Sequence, residues 1–196
     1  YQFLATKVIS KDYIYKTTSV ASVVRSSLDD LPKKLENPPT DIRAIYMTGW
    51  SAGSKEHVDD VLKLLKKTQI NSVVIDIKDY SGKVSYNTGA KKARDYKAYY
   101  PQIADIDTLV EELHRQNIYV IGRIVVFQEP VLAKNRSDLA VYDTTKTSEA
   151  TKPVLWKDDK GLLWLDPASK EVWDYNIEIA KDALAHGFDE INFDYV

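Results

Sequence analysis

Between residues 41 and 196 the spacing of apolar positions changes several times, and each change marks an element. Residues 42–47 (Ile-Arg-Ala-Ile-Tyr-Met) read as a first strand, ended by Thr48, Gly49 and Trp50. Val58, Val61, Leu62 and Leu65 then recur at helical spacing behind a capping serine, Ser54. Residues 72–79 are a near-continuous apolar run, the pattern of a strand covered on both faces. Leu109, Val110 and Leu113 mark a second helix, capped by Asp105 and closed near Gln116 and Asn117. Residues 118–127 read as a third strand. A third helix is expected from Asp166 and Pro167, with the aspartate as cap and the proline in the first turn. Val172, Trp173, Ile177, Ala180, Ala183 and Leu184 are its expected buried stripe, and Gly187 stops it. A turn fixed by Asp189 and a fourth strand follow, delivering Asp194 at the strand's far end.

Strands that alternate with helices pair in parallel. Two folds share that rhythm, the doubly wound sheet and the (β/α)8 barrel. The connections after the second and third strands, residues 80–104 and 128–165, are long and rich in aromatic residues, whereas the helix-to-strand connections are short. Barrels lengthen their βα loops and build sites from them. No glycine-rich phosphate fingerprint follows the first strand. The expected fold is therefore α/β, a (β/α)8 TIM barrel truncated to about its first four strands, over residues 41–196.

Residues 1–40 differ in pattern. Residues 13–20 suit one or two short strands or an extended arm, and residues 26–32 a capped turn or short helix. Pro38 and Pro39 then force an extended path. A boundary is expected near residue 40, with the preceding stretch a linker or the tail of another module.

Composition narrows the function. The 196 residues are 44% apolar and 29% charged, with a net charge of -2, so no global field draws nucleic acid or an anionic membrane. No apolar run is long enough to span a membrane. There is no cysteine, which removes disulfides and thiolate metal sites; that fits either side of a membrane, the cytoplasm included, and leans towards an exported bacterial protein outside the cell or at its envelope. His57, His114 and His186 all fall on helices away from the strand ends, so no metal site and no cofactor are expected.

Candidate chemistry collects at the strand ends. Side chains alternate along a strand, so Asn192 and Asp194 share one face and Ile191, Phe193 and Tyr195 the other. The apolar set packs on helices, and Asp194 points into the barrel at its catalytic end. On the second strand Asp76 and Lys78 share a face with Val74, as a structural ion pair or as lining of the cleft, with Asp79 opposite or in the loop. Arg123, among apolar neighbours on the third strand, needs a carboxylate partner, either Asp76 or Asp194. Glu129 follows that strand as a substrate contact or a solvated loop acid. Trp50, Trp156, Trp164, Tyr80 and Tyr86 lie in or beside the βα connections, where flat rings can stack on a ligand or pack in the core; Trp173, at helical spacing, is expected in the core.

Four motifs resemble one family. They are residues 42–50, residues 118–130 (Ile-Tyr-Val-Ile-Gly-Arg-Ile-Val-Val-Phe-Gln-Glu-Pro), residues 164–167 leading to residues 171–176, and residues 187–196 (Gly-Phe-Asp-Glu-Ile-Asn-Phe-Asp-Tyr-Val). In that order they resemble the putative glycosyl hydrolase domain family, barrel proteins of bacteria and archaea. More distantly, the last motif is similar to the fourth strand of the α-amylase superfamily, in which Asp194 matches the nucleophile. That superfamily has an arginine two residues earlier, where this chain has Asn192. The resemblance implies an O-glycosyl hydrolase acting on a polysaccharide or oligosaccharide, with Asp194 as nucleophile or catalytic carboxylate. Hydrolysis normally uses two carboxyl groups, and the second is expected from a later strand, beyond Val196, which would leave these residues inactive alone. A carbohydrate-binding or scaffold barrel without chemistry is the alternative, and another barrel enzyme such as a lyase a third reading.

Overall fold

Apolar strands separated by helices lie side by side and parallel, because each helix returns the chain to the same end of the sheet. The structure, a computed structural model, describes residues 38–146 and 153–196. The elements expected in residues 13–20 and 26–32 lie outside them.

Strand β1 (Ala44–Met47) leads into a one-turn helix, α1 (Gly49–Ala52), where the Thr48 side chain accepts from the Ser51 N–H. Helix α2 (Lys55–Leu65) begins behind Ser54 and buries Val58, Leu62 and Leu65. Strand β2 (Ser72–Lys78) follows. The first long connection holds unexpected structure: β3 (Val84–Tyr86), α3 (Lys91–Asp95) and β4 (Tyr99–Ile103). Asp105 caps α4 (Ile106–Arg115) by accepting from the Thr108 N–H, and β5 (Tyr119–Val125) comes next. The second long connection contains α5 (Pro130–Asn135), a 3-10 turn at Ser137–Leu139 and isolated antiparallel bridges such as Gln128 with Trp164 and Ala140 with Leu165. Helix α6 (Lys170–Ala185) and strand β6 (Glu190–Asp194) complete the chain.

Strands β1, β2, β5 and β6 are neighbours in that order and all parallel. The order never reverses, as it would at the switch point of a doubly wound sheet. β1 takes the first part of one edge of β2, and β3 joins the same edge further on, antiparallel, at Lys78. Val73, Ile75 and Ile77 of β2 and Val120 and Ile124 of β5 are buried in one core with Leu109, Leu113, Val172, Ile179 and Ala183 from the helices. Each valine, leucine or isoleucine among them stabilises the fold by about 1.5–3 kcal/mol.

Helix α6 departs from expectation twice. It begins at Lys170, one turn late, and Asp166 accepts from the Ala168 N–H in the preceding turn. Its buried side is Val172, Tyr175, Asn176, Ile179, Ala180 and Ala183, while Trp173 and Ile177 are exposed. Both stripes have helical spacing, and packing of Tyr175 and Ile179 against the sheet selects between them. Trp173 is no core residue; its indole N–H donates to the Pro167 carbonyl.

Two carboxylates of α6 tie down the first connection. Asp182 accepts from the Tyr86 hydroxyl, the Thr88 hydroxyl and the Gly89 N–H, and Glu178 accepts from the Lys91 N–H. Tyr86, expected near the cleft, is fully buried by this clamp.

Candidate active site

Parallel strands present their C-terminal ends together, and the polar side chains of this sheet gather there. Asp76 lies opposite Arg123 in the β2–β5 register, and Arg123 lies opposite Asn192 in the β5–β6 register. Asp194 sits two residues beyond Asn192 on β6. A diagonal of four groups results, Tyr46, Asp76, Arg123 and Asp194.

Arg123 holds both carboxylates. Its NH1 donates to Asp76 Oδ1 at 2.7 Å, and its Nε and NH2 each meet Asp194 Oδ2 at 2.8 Å. Asp76 is buried, and its second oxygen accepts from the Tyr46 hydroxyl. The Arg123 guanidinium also lies 5.9 Å from the Tyr46 ring and 5.7 Å from the Tyr195 ring. Burial works against the Arg123 charge, but the hydrogen bonds it donates to Asp76 and Asp194 outweigh that and its pKa goes up. Burial, reinforced by the hydrogen bond to Asp76, pushes the Tyr46 hydroxyl up to about 12. The side chain of Asp194 remains 46% exposed, with Oδ1 accepting from the Tyr195 N–H. One carboxylate is thus fully engaged and buried, and one is oriented yet open to a ligand.

A cleft of about 320 Å³ opens over this network, lined by Tyr46, Thr48, Trp50, Asp76, Asp79, Tyr80, Gln102, Arg123, Val125 and Tyr195. Asp79 is held by the Ser81 N–H and hydroxyl. Trp50 and Tyr80 are exposed, and the Trp50 ring lies 5.8 Å from that of Tyr100. Tyr46, Thr48, Gln102, Val125 and Tyr195 were not foreseen as cleft residues. Tyr195, expected on the outward face with Ile191 and Phe193, has a φ of +58°. That left-handed turn breaks strand alternation and swings the ring toward Arg123.

Lys78 and Glu129 are excluded from this cleft. The β2–β5 register shifts between Asp76 and Lys78, so the two residues do not continue one face. Lys78 turns instead to Tyr175 of α6, with Nζ 5.2 Å from the ring, and to Glu129 Oε2 at 3.1 Å. Both side chains of this pair have no solvent exposure. Burial pushes the Lys78 amine down and the Glu129 carboxyl up, and each partner's charge opposes the other's shift. Glu129 also caps α5 through the Leu132 N–H. A Cβ on Gly82, whose φ is +76°, would collide with both Glu129 oxygens. Neither the substrate contact nor the solvated acid expected of Glu129 survives; the residue locks the two long connections together.

Trp164 stands on the other side of Tyr195, with ring centroids 6.1 Å apart, and meets Trp156 edge-on at 6.3 Å. These rings border a second depression of about 380 Å³, with Phe127, Val141, Leu165, Pro167 and Val196. Asp158 fixes the Trp164 ring by accepting from its indole N–H at 3.1 Å, and also accepts from the Leu162 N–H. Those bonds, the Leu162 N–H first, hold the Asp158 carboxyl down at about 2.

Two of the three histidines serve the frame. His114 and the Val120 N–H bind Asp189 in the turn before β6, and His186 binds Asp107. Among the described residues there is no cluster of side chains fit to hold a metal ion, and no helix is long and apolar enough to cross a membrane.

Comparison with known proteins agrees with this fold. No curated protein matches the chain. A hypothetical protein from Ruminiclostridium thermocellum ATCC 27405 is 41% identical, with a TM-score of 0.70 over 77% of this chain and 75% of that one. The alpha-L-fucosidase isoenzyme 2 from Paenibacillus thiaminolyticus is 15% identical, with a TM-score of 0.57 over 80% of this chain and 24% of the fucosidase. The Flavobacterium johnsoniae chitobiase is 14% identical, with a TM-score of 0.53 over 80% of this chain and 23% of the chitobiase. The last two share the fold, and this chain spans only about a quarter of their length. The profile of the family described as "Putative glycosyl hydrolase domain" matches residues 44–196, and the chain belongs to that family.

Proposed function

We propose that the chain is the first half of a (β/α)8 barrel in an O-glycosyl hydrolase, and that Asp194 is a catalytic carboxylate acting on a polysaccharide. One observation carries this reading: Asp194 ends a parallel strand, is oriented by Arg123 through one oxygen, and keeps an exposed side chain beside the cleft. A carboxylate so placed can attack an anomeric carbon or activate water there. Arg123 supplies from β5 the positive charge that the α-amylase pattern supplies two residues before the nucleophile, where Asn192 stands here. Asp76, buried and bonded through both oxygens, orients Arg123. Asp79, Trp50 and Tyr80 contact the sugar from the cleft wall. A second carboxyl group, the acid, comes from a later strand of the complete barrel. We place the substrate outside the cell or in its envelope, in keeping with a chain free of cysteine.

The test is release of reducing ends from polysaccharides by the full-length protein and its Asp194→Asn variant. The variant is expected to lose about 10³-fold or more in rate. Equal rates would sink the assignment. One observation favours a binding protein without chemistry: the cleft's buried carboxylate, Asp76, is wholly engaged. Wild-type binding of a glycan that it never cleaves would establish that reading.

A further inference from the structure

The hydrogen bonds behind Asp194 lead back to Tyr46, and the role they give it rests on the reading of Asp194 as a catalytic carboxylate. Three links join the two residues. The Tyr46 hydroxyl donates to Asp76 Oδ2. Arg123 NH1 donates to Asp76 Oδ1 at 2.7 Å. Arg123 Nε and NH2 each reach Asp194 Oδ2 at 2.8 Å. The links cross all four parallel strands, β1, β2, β5 and β6. Strand register allows it. Tyr46 lies opposite Val74, so Asp76 is two residues further along β2. Asp194 is likewise two residues past Asn192, the partner of Arg123. An aromatic or long side chain can span such a diagonal, and Tyr46 and Arg123 are of those kinds.

Asp76 is buried, so each of its oxygens needs a donor. Arg123 supplies one and Tyr46 the other. With both in place the carboxylate cannot turn, and the plane of the guanidinium is set by it. The guanidinium donors form a rigid fork, so fixing NH1 aims Nε and NH2 at Asp194. The Tyr46 ring adds little to the core: it is 52% exposed and lines the cleft, while its hydroxyl turns inward to Asp76. With a pKa of about 12, that hydroxyl stays a donor throughout the neutral range. The ring also lies 5.9 Å from the guanidinium, a contact that phenylalanine would keep.

We propose that Tyr46 is a positioning residue: its hydroxyl, acting through Asp76 and Arg123, holds the Asp194 carboxylate in the orientation that the reaction needs.

The test compares wild type, Tyr46→Phe, Asp76→Asn and the double variant in the full-length protein, with chitohexaose, cellohexaose and maltohexaose as probes. On a hexamer that wild type cleaves, Tyr46→Phe is expected to lower kcat per folded molecule about tenfold or more, with KM within about threefold. A raised KM at unchanged kcat would mean that Tyr46 only binds sugar, and would overturn the proposal. The double variant is expected to lose no more than the worse single variant, because both act on one link. Losses that multiply would overturn it. A second readout needs no turnover: exchange of the Arg123 Nε–H with water, followed by NMR and assigned by its absence from Arg123→Lys. Exchange is expected to be about tenfold or more faster in Tyr46→Phe. Unchanged exchange would show that the hydroxyl does not hold Arg123. Faster exchange in a protein whose wild type cleaves no hexamer would keep the hold on Arg123 and count against the hydrolase reading alone. Failure of Tyr46→Phe to fold, with Asp76→Asn folded and at wild-type kcat, would mark the hydroxyl as purely structural and also overturn the proposal.

Discussion

Two ionic clusters flank the irregularity in β2, and they have opposite fates. Lys78 and Glu129 point to the helix side, where neither side chain meets solvent and every contact is with the protein. Asp76, Arg123 and Asp194 point to the strand ends, where the last of the three stays half open. The first has nothing left to offer a ligand. The second has a fixed charge with one accessible face. What separates them is the end state of the outermost carboxylate, and charge content alone does not reveal it.

The largest expected break is on the closed side. Glu129→Ala leaves the Lys78 ammonium buried without a partner and is expected to destabilise the protein by about 3–5 kcal/mol. Thermal unfolding reads it, and a midpoint equal to wild type would show that the pair carries no structural load. Next comes Arg123→Lys on the open side. A single ammonium cannot span Asp76 and Asp194 as the guanidinium does. A loss of about 1–2 kcal/mol in stability is expected, with a larger fractional loss in turnover. Full turnover would mean that Asp194 needs no orientation. The smallest effect lies at the Trp164 ring. Asp158 titrates at about 2 in the folded protein against an ordinary 3.8. Its folded pKa is lowered, so its contribution is complete above about pH 4 and is lost as pH falls through about 2. Trp164 fluorescence should change in that window, and Asp158→Asn should abolish the step.

Much of the frame was legible because its signals are local. Ser54 and Asp105 cap the helices they precede, and the apolar runs became β2 and β5. The joining of Arg123 to both Asp76 and Asp194 follows from parallel register once the strands are placed. What escaped depends on partners distant in sequence. β3 and its neighbours are held by Asp182 and Glu178, far along the chain. Lys78 changes sides because β2 takes two steps against one of β5 between Asp76 and Lys78, an irregularity that its near-continuous apolar run does not encode. Tyr195 reverses face through one left-handed backbone angle in a residue that is not glycine. The buried side of α6 was ambiguous between two apolar stripes until the sheet chose one.

The contrast between the clusters is tested most directly by a crossed measurement of Glu129→Gln and Asp194→Asn in the full-length protein, with melting temperature and glycan turnover taken on each. The account predicts that Glu129→Gln lowers the melting temperature but leaves turnover per folded molecule near wild type, while Asp194→Asn leaves the melting temperature nearly unchanged and abolishes turnover. Turnover retained by Asp194→Asn and lost in folded Glu129→Gln would contradict it.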